Sequence, residues 1–207
     1  MGRPATDTKQ KLIDTALELM WVSSYGSVSV DDICKKADVK KGSFYHYFPS
    51  KVELTLAAME EYLQKPKALM DQVFSPSKDP IERFQTLADV IYEDQLEAQK
   101  KYGKICGCPC TAIGSELACQ EERIRDKFEE FMAYKAKYYE NAIRDMVAMK
   151  YLPADTHVKN KAQEVFTFIF GQVMLARIQN DLEALKRDLK PGILRTLGVT
   201  EKVKESA

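Results

Sequence analysis

The 207-residue sequence predicts an all-α protein, with a small three-helix bundle first and a larger helical body after it. Three observations carry this. Apolar residues recur at three- and four-residue spacing from Leu12 to Leu197, with no alternating stretch that reads as a strand. Helix punctuation divides these stripes: Pro80 and Pro109 stand at helix starts, Gly26 and Gly103 at joints. The hydrophobic share of 45% against 30% charged residues is that of an ordinary globular chain able to bury a core.

The first helix is expected from Thr6 or Asp7 to about Ser23, with Leu12, Ile13, Ala16, Leu17 and Met20 on one face. Trp21 and Tyr25 close its far end, and Gly26 supplies a flexible joint. Ser29 followed by Asp32 reads as an N-cap with an acid at N3, and Val30, Ile33, Cys34 and Ala37 form the stripe of a second short helix. After Asp38-Val39-Lys40 the pattern restarts at Lys41 and runs to Phe48, where Pro49 stops it. Lys41, Ser43, Tyr45 and His46 then face away from Phe44 and Phe48. Two short helices across a tight turn, the second rich in donors, describe a helix-turn-helix. A bundle this small, packed around Leu17, Ile33, Phe44 and Phe48, needs the following helix as a buttress. That helix opens with Ser50 and Glu53 as a capping box.

The run from Val39 to Leu54, Val-Lys-Lys-Gly-Ser-Phe-Tyr-His-Tyr-Phe-Pro-Ser-Lys-Val-Glu-Leu, resembles the recognition helix and following helix of the TetR family of bacterial transcriptional regulators. Two residues depart from the family wording. Lys40 stands where a small hydroxyl residue commonly caps the recognition helix, and Asp38 where Gly is frequent. The resemblance implies a ligand-responsive, sequence-specific DNA-binding regulator, a repressor released by a small-molecule effector. It also implies a helix-turn-helix DNA-binding domain over residues 1–50 and a helical effector-binding and dimerisation domain over 51–207. Specific motifs are confined to the first fifty-odd residues; beyond them the likeness is in helix count, order and length.

Further along, a helix from Lys51 toward Phe74 carries Leu54, Leu56, Ala57, Met59 and Leu63, and Pro66 predicts a kink or break near Tyr62 to Lys65. As the only element expected to join both domains, this helix is expected to tilt at Pro66. Asp79 and Pro80 cap a helix from Ile81 to about Lys100, ended by Tyr102-Gly103. Cys108-Pro109 starts another, Glu121 to Met149 is long, and Leu152 to Asp155 breaks it. Thr156 to Asn180 is apolar on nearly every side from Val165 to Ile178, so it must be covered on two faces. Leu182 to Leu197 is the last, weakened by Pro191-Gly192 and followed by a charged tail.

Net charge is zero, yet Lys35 to Lys51 holds five lysines against the single acid Asp38. That local positive excess suits a phosphate backbone. The candidate DNA contacts are Lys40, Lys41, Ser43, Tyr45, His46 and Lys51. By resemblance Tyr45 and Lys51 contact phosphates, the latter from a helix N-terminus, while Lys41, Ser43 and His46 read base edges. Arg3-Pro4 resembles a basic arm found in part of the family. One such head gives too little contact for a specific site, so a homodimer on a pseudo-palindromic operator is expected. Val165, Ile169, Val173, Leu185 and Leu189 are its candidate interface, with Gly171 permitting a close crossing. The resemblance implies an effector pocket, assigned to Tyr92, Tyr102, Cys108, Phe128, Phe131 and Met132.

No apolar run approaches the roughly 18 residues of a membrane span, and the first ten residues lack the apolar core of a signal peptide. Five cysteines, four of them between Cys106 and Cys119, make no secreted disulfide framework, so a reducing cytoplasm is the expected home. No phosphate loop, metal-ligand spacing or nucleophile–histidine arrangement appears, and no cofactor, metal or catalytic residue is expected. The rival readings are a redox- or electrophile-sensing regulator using Cys106, Cys108 and Cys110, a thiol- or metal-dependent enzyme built on them, and an interaction module without DNA.

Overall fold

The computed structural model describes residues 5–64 and 67–199, and these form ten helices with no strand. They are α1 (Ala5–Val22), α2 (Val30–Ala37), α3 (Lys41–Tyr47), α4 (Lys51–Gln64), α5 (Lys67–Val73), α6 (Pro80–Tyr102), α7 (Pro109–Leu117), α8 (Glu122–Ala148), α9 (Val158–Gln179) and α10 (Leu182–Leu197). The described part of the stretch from Lys51 to Phe74 is helical on both sides of residues 65–66, where the proline was expected to act. Pro66 itself, the Arg3-Pro4 arm and the charged tail lie outside the described residues. No helix among the described residues is long and apolar enough to cross a membrane.

Local chemistry explains most helix ends. Ser29 Oγ accepts the amide of Asp32 and the Asp32 carboxylate accepts the amide of Ser29, a complete capping box for α2. Asp79 accepts the amides of Ile81 and Glu82 ahead of Pro80, and Gly103 at φ 72° closes α6. The expected box at α4 is half-formed. Ser50 Oγ accepts the amide of Glu53, but the Glu53 carboxylate pairs with Arg123 instead of reaching back. Pro191 does not end α10, which continues to Leu197.

Packing divides the chain into two units: Met1–Pro66 with Cys108–Phe131, and Lys67–Gly107 with Met132–Ala207. The expected boundary at residue 50 falls inside the first unit, because α4 lies along α1 and α7 packs on both. The chain passes between units at three places, and α8 begins in one and ends in the other. The helix from Lys51 is therefore not the only connection.

The first unit is built on Leu12, Ala16 and Met20 of α1, Ile33, Phe44, Leu54, Ala58 and Met59, with Ile113 of α7 and Ile124 of α8, all fully buried or nearly so. Each large side chain here contributes about 1.5–3 kcal/mol. Arg123 to Glu53 and Lys127 to Glu60 (2.7 Å) tie the start of α8 to α4. In the second unit α10 packs on α9 and α6. Its core includes Phe74, Phe84 and Tyr139, whose ring centroids lie 5.4–5.7 Å apart. Arg83 is buried and fully used, donating to Lys78 O (3.0 Å), Pro76 O (3.2 Å) and Asp145 Oδ2 (2.5 Å).

Candidate nucleic-acid interface

The α2–α3 turn is set by Asp38, which adopts the left-handed conformation (φ 54°, ψ 49°) as C-cap of α2. Its amide and that of Val39 satisfy the last carbonyls, at Cys34 and Lys35. Aspartate is one of the few residues other than glycine that visits this region at modest cost, so the turn forms without the expected glycine. Lys40 occupies the N-cap of α3 and makes no side-chain cap bond; its carbonyl accepts the amides of Ser43 and Phe44.

Phe44 is fully buried and touches Phe48 at 6.2 Å between centroids, which fixes the rotation of α3. Lys41, Tyr45 and His46 are consequently exposed and Ser43 half-buried, with Tyr45 showing 51% of its surface although its ring meets the edge of Phe44. Gly42 has open space where a Cβ would stand. Nothing in the chain requires glycine there, and in a helix it costs about 0.5–1 kcal/mol relative to alanine. An open glycine on the donor face lets an outside backbone come close.

Two lysines have partners. Lys41 Nζ lies 2.8 Å from Asp31 Oδ1 of α2, and that hydrogen bond holds the ammonium pKa above its usual value. Lys51 differs from the expected phosphate contact. Its ammonium donates to Tyr25 O and Val28 O, both at 2.8 Å, and sits 3.8 Å above the Tyr25 ring. Desolvation lowers its pKa, partly countered by Glu116. Lys51 staples α4 to the turn between α1 and α2, a role legible only once those carbonyls are placed. The lysines Lys35 and Lys36 are exposed, and Lys36 pairs with Glu18 at 2.9 Å.

The remaining expected sites divide as follows. Cys108, Phe128 and Phe131 belong to the first unit and Tyr92, Tyr102 and Met132 to the second. Phe128 and Phe131 pair at 6.0 Å, and Cys108 Sγ lies 3.7 Å from the Tyr62 hydroxyl. Tyr92 lies under Lys186 and Tyr102 beside Lys101. Of the cysteines in question only Cys108 is half-buried; Cys106 and Cys110 are buried, and burial raises the Cys106 pKa. Cys119, beyond α7, is exposed. Among the described residues no three His, Cys, Asp or Glu side chains are placed to hold a metal.

The five residues expected at a dimer interface, Val165, Ile169, Val173, Leu185 and Leu189, are all buried within their own chain. They form the faces by which α9 and α10 pack into the second unit. The apolar surface left on α9 is the opposite stripe, Thr167, Phe170, Gly171, Met174, Leu175 and Ile178, with Leu175 49% and Ile178 72% exposed. Helical periodicity would have separated the two faces; the sequence alone did not say which one the chain keeps.

Residues 12–58 match the bacterial regulatory proteins of the tetR family, and residues 80–190 the tetracyclin repressor-like C-terminal domain. The chain belongs to the TetR family. It is a ligand-responsive, DNA-binding transcriptional regulator. It is 29% identical over 203 residues to the transcriptional regulator AcuR of Cereibacter sphaeroides, covering 95% of this chain and 89% of that protein. It is 24% identical to the transcriptional repressor NemR of Escherichia coli, over 88% of this chain and 90% of that one. Among solved structures, a TetR-family regulator from Agrobacterium tumefaciens superposes with a TM-score of 0.82 at 18% identity, covering 92% of this chain and 98% of that one, a likeness of fold. A TetR regulatory protein from Rhodobacter sphaeroides gives 0.76 at 28% identity, over 91% and 96%.

Proposed function

We propose that this regulator is a cytoplasmic homodimeric repressor that reads a pseudo-palindromic operator with α3 and leaves it when a small-molecule effector binds. The observation that carries the reading is the face of α3, where Lys41, Ser43, Tyr45 and His46 surround an open Gly42 while Phe44 anchors the helix from behind. Lys41, Ser43 and His46 are assigned to base edges and Tyr45 to phosphate, with Lys40 beside them. Lys51 acts on the head from inside through its two carbonyl bonds. The work divides between a DNA-reading part, residues 1–50, and an effector and dimer part, 51–207. The exposed stripe of α9 is the surface that supports dimerisation. For the effector the candidates are Cys108, Phe128 and Phe131 in the first unit and Tyr92, Tyr102 and Met132 in the second, on the strength of the match to the C-terminal domain.

Mobility shift with the DNA upstream of its own coding sequence tests the reading. Tyr45→Ala should weaken binding uniformly, whereas Ser43 and His46 substitutions should change which sequence is preferred, by roughly 1–3 kcal/mol for each base contact. Unchanged binding in all three variants rejects α3 as the reading helix.

A second reading, control through a thiol, is favoured by one observation: Cys108 is half-exposed at the uncapped start of α7. Its sequence neighbours Cys106 and Cys110 are buried, which leaves no accessible resolving thiol beside it in that motif. Operator release by mild peroxide that disappears in Cys108→Ser supports this reading. Release that persists rejects it.

A further inference from the structure

We infer that Glu116 is a positioning residue for DNA recognition: from the last turn of α7 it holds the α1–α2 turn on which the reading head hangs. The inference rests on the regulator reading above. The Glu116 carboxylate accepts two consecutive backbone amides, from Tyr25 at 2.9 Å and from Gly26 at 2.6 Å. A Cβ at position 26 would stand 2.8 Å from Glu116 Oε1, so any larger residue there makes the carboxylate give way. Lys51 takes the carbonyls of Tyr25 and Val28 from the other side. One short turn therefore has its donors held by an anion on α7 and its acceptors by a cation on α4.

What the turn carries explains the effect. Val28 is buried and Ser29 directly caps α2, so α2 and α3 follow the turn as a body. The opposite end of α7 is fixed as well, with Cys108 at 3.7 Å from Tyr62 near the far end of α4. Helix α7 thus touches both α4 and the α1–α2 turn. Removing the Glu116 carboxylate leaves the Tyr25 and Gly26 amides without their charged acceptor, while the buried side chains of the bundle keep their packing. The head would stay folded but lose its fixed bearing. Sequence-specific reading needs that bearing; attraction to phosphate does not.

The test compares full-length wild type, Glu116→Ala, Glu116→Gln and the control Glu122→Ala on the upstream operator and on random duplex. Glu116→Ala should weaken operator binding at least about tenfold, in line with the loss of a charge-assisted anchor. Glu116→Gln, which keeps one acceptor oxygen, should fall between. Random-duplex affinity and the control should match wild type, and amide exchange at Tyr25 and Gly26 should quicken in Glu116→Ala. If Glu116→Ala does not fold, Gly26→Ala, which displaces the carboxylate without removing it, replaces it with a smaller operator loss in the same direction. Operator affinity equal to or tighter than wild type in the folded variants overturns the inference and leaves the regulator reading standing. A wild type that does not bind its upstream DNA overturns both. Equal losses on operator and random duplex also overturn the inference, since they mean general damage to the head.

Discussion

Replacing both Leu175 and Ile178 on α9 by lysine is expected to separate the dimer without unfolding the chain. Ile178 is 72% exposed and Leu175 49% exposed in the single chain. Complete burial of such a side chain stabilises by about 1.5–3 kcal/mol. The fraction still open is therefore worth about 1–2 kcal/mol for Ile178 and about 1 kcal/mol for Leu175. A two-fold interface uses each residue twice, so the pair accounts for roughly 4–6 kcal/mol. That is about three to four powers of ten in dimer Kd. Both side chains face solvent in the free chain, so melting of the monomer should move little. Val165→Glu or Leu185→Glu behave differently, because those positions lie in the core and an unpaired buried charge unfolds it. Sedimentation over a range of concentrations gives the constant, and circular dichroism confirms the fold. A double variant that dimerises like wild type would remove α9 from the interface, and a wild type that is monomeric at operator-binding concentrations would refute the two-fold reasoning.

Three other predictions follow from single contacts. Asp31→Asn releases the Lys41 ammonium from its ion pair, so non-specific DNA affinity should rise and the slope of log K against log salt should steepen by about one. Arg83→Met strips Lys78 O, Pro76 O and Asp145 of their buried donor; Asp145 keeps solvent contact, so the cost in chemical denaturation should be about 3 kcal/mol, the low end for a broken buried pair. The Ser29 hydroxyl and amide hold the Asp32 carboxyl below the usual aspartate pKa, so its contribution is present above that ordinary range and is lost as pH falls through the lowered folded value. Melting curves against pH should show this acid-side loss, and Asp32→Asn should flatten it.

Features closed by neighbours in sequence were legible, and those closed by distant ones were not. Ser29 with Asp32, Asp79 with Pro80, and Gly103 could be read because each helix end is satisfied within four residues. Ser50 and Glu53 have the same spacing, but Arg123, seventy residues on, takes the Glu53 carboxylate. Lys51 stands at a position that suggests a phosphate contact, and only the folded course of residues 25–28 shows its ammonium occupied. Glu116 carried no local signal, being an ordinary acid late in a short helix ninety residues from its partners. For α9, apolarity on all sides announced two covered faces, but its packing on α10 decides which one the chain keeps for itself. The recognition helix was the most readable part, since the buried Phe44 and the exposed Tyr45 follow directly from helical spacing.

The triple crossing of the chain between its units has a practical consequence for anyone building chimaeras from this regulator. A reading head cut at residue 50 and grafted onto a foreign body would arrive without Lys51 and Glu116, the side chains that grip its turn, and without the supporting helix α4 that Arg123 and Lys127 hold. Exchanging specificity between relatives therefore calls for a discontinuous transplant, in which the N-terminal segment travels together with residues 108–131. The shorter and more convenient alternative is to leave the scaffold whole and rewrite only the residues of α3 proposed to read base edges, at 41, 43 and 46.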